Sequence, residues 1–452
     1  MIHAKIDLNR HGVFAVPNHE LLSMNTTSDT SRRNFLKTSA TLGATALAFP
    51  SIMSAAPNSD KLRIGLIGCG GRGTGAANQA LTADSNVELV AMGDLYADKL
   101  EKSLEGLKAQ HGEKVKVNPD KKFTGLDAYQ KVLDCGIDVV LLAAPGGFRS
   151  RHLAAAVAAG KHIFCEKPMA IDGPGIRSVL KSVEIAKQKK LALRAGFCFR
   201  FDNTYRETVK HIHDGTIGNI LTVYSTRMGG TLSTKFPGTR EPGWTDLQWQ
   251  LNNWSNFLWL SGDWMMEVAV HSVDKINWFM RDEQPIKCIA SGGRQVPSFG
   301  NIYDHFDVTW EYADGRRAML KTRYQDHSYK EHADYIQGDK GKCVIGRKPK
   351  PEIFDASGKA IWRYTGEKGD MYQNEHDELF ASIRSGNVCN DGDWMIKSVT
   401  MAIMGRMAAY TGQEITWEMA QNSQEDLYPK NLAWDMKLDV PPMASPGVNK
   451  YF

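Results

Sequence analysis

Three things are scarce in this sequence of 452 residues. Its seven cysteines show no close-paired spacing, which argues against a metal-ligand set and a small disulfide framework. Cys69, Cys135, Cys165 and Cys198 lie in or beside apolar runs, the usual setting of a buried free thiol. Net charge is small, +4 for the whole chain, and part of it sits near the N-terminus, so the footprint of a nucleic-acid binder is missing. The apolar stretch at 38–53 is short and rich in Ala, Thr and Ser, too short to span a membrane.

What is present suggests two domains behind a leader. Ser31-Arg-Arg-Asn-Phe-Leu-Lys37 resembles the twin-arginine export signal across its consensus. The apolar stretch follows, and Ser54-Ala55-Ala56 offers small residues for a signal peptidase ahead of Pro57. A periplasmic protein that meets the twin-arginine export machinery is expected, with the mature chain starting near 57. Residues 1–23 fit poorly with this, because Met24 is better placed to begin the charged region of a signal.

The strand 62–67 runs into Gly68-Cys-Gly70-Gly71-Arg72-Gly73, and a small-residue helix follows at 74–81. Gly is needed first for a tight turn, then for close approach to a pyrophosphate, then for helix packing. A second strand, 87–92, leads to Asp94. That carboxylate either accepts from ribose hydroxyls, which favours NAD over NADP, or caps the helix at 97–107. Arg72 either touches phosphate or faces water. Strands at 138–144, 162–165 and 191–197 alternate with helices at 127–133, 154–159 and 173–189, the rhythm of a doubly wound parallel sheet. A Rossmann-type domain is expected over 57–198.

His162-Ile-Phe-Cys-Glu166-Lys167-Pro168 reads as a buried strand stopped by charge and proline. In a parallel sheet its carboxyl end is the ligand edge. On the residues alone, Lys167 is equally a candidate for chemistry and a solvated strand end.

Ala-Gly-Lys-His-Ile-Phe-Cys-Glu-Lys-Pro at 159–168, with the glycine loop upstream, resembles the Gfo/Idh/MocA oxidoreductases, sugar and inositol dehydrogenases and relatives that use a nicotinamide cofactor. The resemblance implies that Lys167 reaches the substrate hydroxyl and the nicotinamide, with Glu166 and Pro145 on the cofactor side. The family's Pro-x-x-x-His loop is Pro145-Gly-Gly-Phe-Arg149 here, leaving Arg149, Arg151 or His152 as substitutes for that His.

From 220 the pattern changes to alternating strands at 221–226, 306–312, 317–322 and 331–337, with an Asp314-Gly315 turn signal. An α+β domain with a large, mostly antiparallel or mixed sheet is expected over 199–452. The resemblance implies that this sheet also serves a homodimer or homotetramer. Ahead of it, Glu267, His271 and Asp274 share one helical face by their spacing, a pattern open to metal binding or to a hydrogen-bonded core histidine. No third matching ligand is evident, and no metal is needed. The resemblance implies His271 as acid–base residue, with Glu267 standing where relatives carry a substrate-contacting Asp. Arg200, Trp264, Asp274, Asp304 and His305 are expected on the substrate side, and Glu375-His376 is a weaker polar pair.

Trp244, Trp249, Trp254, Trp259 and Trp264 recur every five residues, which is neither helical nor strand periodicity. They suit sugar stacking or core packing. The reading is an exported dehydrogenase that keeps its NAD bound and acts on a secondary hydroxyl of a sugar or glycoside, with C3 the expected position. A glycosidase using NAD transiently and a non-catalytic sugar sensor are the alternatives.

Overall fold

Leu62–Ile67 (β1) is buried over its last four residues, because helices cover both faces of the sheet it centres. The structure, a computed structural model, describes residues 61–230, 238–296, 298–346 and 350–450. The export motif and the 1–56 leader lie outside them. After β1 come α1 (Gly71–Ala83), β2 (Val87–Asp94), α2 (Ala97–His111), β3 (Lys122–Thr124), α3 (Ala128–Leu133), β4 (Val139–Leu142), α4 (Gly146–Ala158), β5 (His162–Glu166), α5 (Gly173–Gln188) and β6 (Leu193–Gly196). All six strands pair in parallel, in the order β3-β2-β1-β4-β5-β6. The order reverses between β1 and β4, and a doubly wound sheet binds ligands at that switch point, outside its carboxyl ends. The expected doubly wound domain is therefore present.

The chain continues through α6 (Asn203–His213), β7 (Ile220–Gly229), α7 (Asp246–Asn252), α8 (Leu258–Ser261) and a π-helical turn at Met265–Ala269 that runs into α9 (Val270–Phe279). Strands β8 (Lys287–Gly293), β9 (His305–Glu311), β10 (Arg317–Tyr324), β11 (Glu331–Gly338), β12 (Gly341–Gly346), β13 (Glu352–Asp355) and β14 (Ala360–Arg363) follow. Then come α10 (Met371–Ser385), α11 (Gly392–Thr411), β15 (Ile415–Thr416) and α12 (Trp417–Asn422). The second sheet runs β14-β13-β12-β11-β7-β10-β9-β8-β15. Only β7 and β10 pair in parallel, so the sheet is mixed but mostly antiparallel, as expected. β9 alternates half-buried and buried residues because one face packs on helices; α11, buried along nearly all its length, lies against β8, β9, α5 and α9.

Residues 423–450 form neither helix nor strand and act as a strap. Leu427 N–H donates to Asp172 Oδ2 at 3.0 Å. Leu438 N–H donates to Asp246 Oδ2 at 3.1 Å, while Gln250 Nε2 donates to Leu438 O at 2.7 Å. Beneath it lies a separate apolar cluster of Phe148, Leu247, Leu251, Phe257, Trp259 and Leu260, against which Trp249, Trp254 and Trp434 pack. Trp249, Trp254 and Trp259 are turned into this shared packing by a run of short elements. Trp264 enters the main core instead, with its Nε1 donating to Thr322 Oγ1 at 2.8 Å and its ring stacked on Tyr324 at 4.3 Å. Its expected place on the substrate side is corrected to core packing, because both ring faces and the N–H are taken up by the interior.

Asp263 opens the π turn with φ of +80° and is fully buried. Its carboxylate accepts from Tyr303 N–H at 2.9 Å and from Trp264 N–H and Tyr410 O–H. Burial nevertheless pushes its pKa up to about 7. A raised carboxylate pKa means the folded chain binds the extra proton between the unfolded value and 7, so stability falls as pH rises through that window. Asp263→Asn keeps an acceptor and tolerates the left-handed backbone. Denaturant midpoints of the two proteins should therefore shift in favour of the Asn variant by roughly 2 kcal/mol between pH 5 and pH 8; a pH-independent difference would refute the assignment.

Candidate active site

The glycine loop joins β1 to α1 at the switch point. Gly68 has φ of +93°, and a Cβ there would lie 2.6 Å from Ala144 N. A Cβ on Gly73 would stand 1.8 Å from Gly68 O, which forces glycine where helix meets strand. Gly70 and Gly71 have nothing within 4 Å of where a Cβ would be, so backbone N–H groups at the start of α1 are open to a pyrophosphate. Asp94 ends β2, its Oδ2 accepting from Cys69 N–H at 2.6 Å and its Oδ1 from Tyr96 N–H at 3.0 Å. Tyr96, not Asp94, occupies the cap position of α2, so the carboxylate ties the loop to β2 and stays at the ligand edge. These residues fit a dinucleotide.

Arg72 does something else. Its Nε donates to Glu166, its Nη2 to Glu375 Oε1 at 3.0 Å and its Nη1 to Gln79 Oε1 at 3.0 Å, with Tyr372 4.8 Å beneath the guanidinium. A buried carboxylate pair from β5 and α10 draws the side chain inward, although it stays partly exposed. Burial and the Glu166 charge hold the Glu375 carboxyl well above the usual range. Beside it, neither ring nitrogen of His376 has a partner among the described residues, and its ring packs on Phe164 at 4.2 Å.

Pro145 caps α4. Arg149 turns back under it, donating to Leu142 O at 3.0 Å and to Ala144 O. His152 stacks on Tyr129 at 4.3 Å, where burial drives its pKa down to about 3. Arg151 lies 3.9 Å over the Tyr428 ring. All three side chains are occupied in packing, and none of these contacts stands in for the His of the Pro-x-x-x-His loop.

Glu166 and Lys167 leave the carboxyl end of β5 opposite the π turn. Lys167 Nζ donates to Glu267 O and lies 3.6 Å from Glu267 Oε2, both side chains keeping slight exposure. Single π turns recur at functional sites, and this one turns a helical carbonyl toward an amine. His271 follows in the first turn of α9. Phe197 and Phe199 meet its ring edge-on at 6.1 and 5.6 Å, and its Nδ1 has no partner among the described residues. Burial, then the positive charge of Lys167, with Arg227, His332 and Lys275 behind it, holds the imidazole well below its ordinary pKa, so it is neutral and able to accept a proton. Lys167 and Glu267 are therefore in contact, and His271, one turn beyond Glu267, is near enough for the Lys167 charge to act on it.

The remaining candidates do not join them. Arg200 and Asp274 form a buried pair, Nε to Oδ1 at 3.0 Å, completed by Asp282 at 2.6 Å, Ser398 at 2.7 Å and Trp394 under the guanidinium at 4.0 Å. Their expected substrate role is corrected to a structural one, since every acceptor is met inside the protein. Asp304 accepts from Gln295 N–H at 3.0 Å, Val296 N–H at 2.8 Å, Gln325 Nε2 at 3.1 Å and His305 Nδ1 at 2.7 Å. It organises the turn entering β9, and it holds His305 through Nδ1 while that side chain stays half exposed.

The neighbours of His271 that the sequence reading passed over are Lys275, Asp334, Arg227 and His332. Lys275 is one turn beyond His271 and pairs with Asp334 Oδ2 at 2.6 Å, both fully buried. It also lies 3.3 Å from His332 Nε2, whose Nδ1 meets Arg227 Nη1 at 2.7 Å. The four-residue spacing of His271 and Lys275 was a usable signal; the pairing of β7 with β11 that carries the others was not. Among the described residues no three His, Cys, Asp or Glu side chains gather to hold a metal, and no helix is long and apolar enough to cross a membrane.

Comparison with known proteins gives concordant results. Residues 62–197 match the family model for an oxidoreductase family with an NAD-binding Rossmann fold, and residues 205–344 match the GFO/IDH/MocA C-terminal domain. An inositol 2-dehydrogenase of Rhizobium meliloti is 25% identical over 336 residues, covering 72% of this chain and 89% of its own. Among solved structures, a levoglucosan dehydrogenase in complex with NADH and levoglucosan aligns with a TM-score of 0.63 at 17% identity, over 79% of this chain and 99% of that one. An aldose-aldose oxidoreductase of Caulobacter crescentus complexed with glycerol aligns with a TM-score of 0.61 at 19% identity, over 79% and 99%. These two likenesses speak for the fold.

Proposed function

The chain belongs to the Gfo/Idh/MocA family of NAD-binding oxidoreductases, and from that premise we propose that it is an exported dehydrogenase that oxidises a secondary hydroxyl, at C3, of a sugar or glycoside. The observation that carries this is Lys167 Nζ held by Glu267 near a neutral, half-buried His271, at the sheet edge where Gly68, Gly70, Gly71, Gly73 and Asp94 leave room for a dinucleotide. Inositol, levoglucosan and aldoses, named for the relatives above, are polyhydroxylated rings or chains, which supports a substrate of that class. The Ser31–Lys37 motif supports export.

Bound NAD supplies a two-electron acceptor for the hydride that leaves the carbinol carbon. The chain's own groups handle the oxygen. Lys167 donates to it, stabilising negative charge as the O–H bond breaks and the C=O bond forms. His271 takes the hydroxyl proton. Glu267 holds the ammonium in place through its carbonyl and carboxylate. Asp94 disfavours a 2′-phosphate by like charge, which supports NAD over NADP.

One assay tests the reading. Chain recovered from the periplasmic fraction is incubated with NAD and a panel of inositols, aldoses and glycosides, and nicotinamide absorbance is followed. Reduction with at least one of them, and a keto product at C3, is expected. Folded protein that reduces no nicotinamide, bound or added, with any of them overturns it; release of free sugar without net reduction would place the chain with redox-neutral glycosidases.

A further inference from the structure

The C-terminal strap reaches a part of the ligand edge that neither the glycine loop nor Asp94 explains. Leu95 and Tyr96 follow Asp94, and Thr124 and Gly125 lie at the end of the neighbouring β3. Facing them are Gln248 of α7 and Trp434 of the strap, and these six residues line an open cleft of about 330 Å3. The sheet order runs outward from β1 to β2 to β3. A dinucleotide laid along this edge has its pyrophosphate at Gly70 and Gly71, its ribose at Asp94 and its base one step further out. That step is the cleft.

Its walls suit a flat heteroaromatic ring. The Tyr96 and Trp434 rings are 6.0 Å apart and inclined at 56°, so they pack against each other as one aromatic wall, with Lys99 Nζ 4.6 Å over the Tyr96 ring. Aromatic faces hold a nucleobase by stacking. Gln248 Oε1 is engaged by Thr245 N–H at 2.9 Å, and its amide nitrogen has no partner among the described residues, leaving a donor for a ring nitrogen. The strap is pinned on either side of Trp434, at Leu427 and at Leu438, so the indole's position does not depend on its own contacts.

We propose that the strap is part of the cofactor site: the adenine lies against the aromatic wall that Trp434 and Tyr96 form, while Gln248 donates to it. This rests on the dinucleotide reading above and deepens it. A base covered by a strap leaves slowly, as a chain working where free NAD is scarce requires.

The test is binding, not turnover. Native chain and Trp434→Ala are titrated with NAD and with AMP by calorimetry, with thermal melts as a folding control. Trp434→Ala is expected to weaken both ligands equally, by about tenfold or more, and Trp434→Phe to recover most of the loss. If Trp434→Ala melts early, Trp434→Leu replaces it, filling the space without an aromatic face. Native-like AMP affinity in either folded variant overturns the proposal while leaving the dinucleotide reading intact. A native chain that binds neither NAD nor AMP removes both.

Discussion

Lys167→Met is expected to lower kcat/KM by about three orders of magnitude while NAD affinity stays within a few-fold of native. Removing one preorganised donor to a developing oxyanion costs about 10²- to 10³-fold, and here the same ammonium also holds down the pKa of the base. Met keeps the length and apolar volume of the side chain, so the environment of Glu267 is disturbed little. The Glu267 carbonyl that receives Lys167 Nζ belongs to the π turn, which has a regular helix to fall back on, and thermal melts should show little change. The decisive comparison is steady-state kinetics against calorimetric NAD binding on the same preparations. A variant within tenfold of native turnover would remove Lys167 from the chemistry, and a variant that lost NAD binding in parallel would make it a cofactor contact instead.

The legible parts of this protein were those where one short stretch contains its own physical explanation. β4 is a continuous apolar run, and β1 and β5 are apolar through their buried stretches, because helices cover both faces of the sheet, while Gly68 and Gly73 are forced by close backbone approach. Glu267 and His271 stayed legible because four residues separate them within one helical segment. What escaped depended on contacts between distant strands. Arg227 meets His332 only because β7, which pairs in parallel with β10, pairs antiparallel with β11 on its other edge, and nothing in either strand's alternation announces that neighbour. Arg72 and Arg200 misled for the same reason: a guanidinium near a presumed ligand edge looks free until Glu375 of α10 or Asp282 beyond α9 is brought beneath it. The tryptophans stayed open between sugar stacking and core packing, since their spacing matched no regular element and the strap that joins the cluster of Trp249, Trp254 and Trp259 arrives nearly two hundred residues later.

His271→Gln should lower kcat by about 10³-fold, the range expected for removing a positioned acid–base group, but the sharper result lies in the pH dependence of the native enzyme. A histidine at its ordinary pKa would begin to lose its base form below about pH 6.5. Burial comes first among the causes that depress His271, and Lys167, Arg227, His332 and Lys275 add positive charge around it; both effects disfavour the protonated ring. The neutral base therefore persists as pH falls, and the acidic limb of kcat/KM should lie well below pH 6.5, measured with a non-titrating substrate between pH 4.5 and 9. The Lys167→Met variant, with one of those charges gone, should show its residual activity falling off at a higher pH than native, while His271→Gln should lose the limb altogether. A native limb at or above pH 6.5, or one that survives in His271→Gln, would mean that another group carries the proton. His332 is the first to examine then, since it approaches the same Phe199 ring as His271 and sits between Lys275 and Arg227.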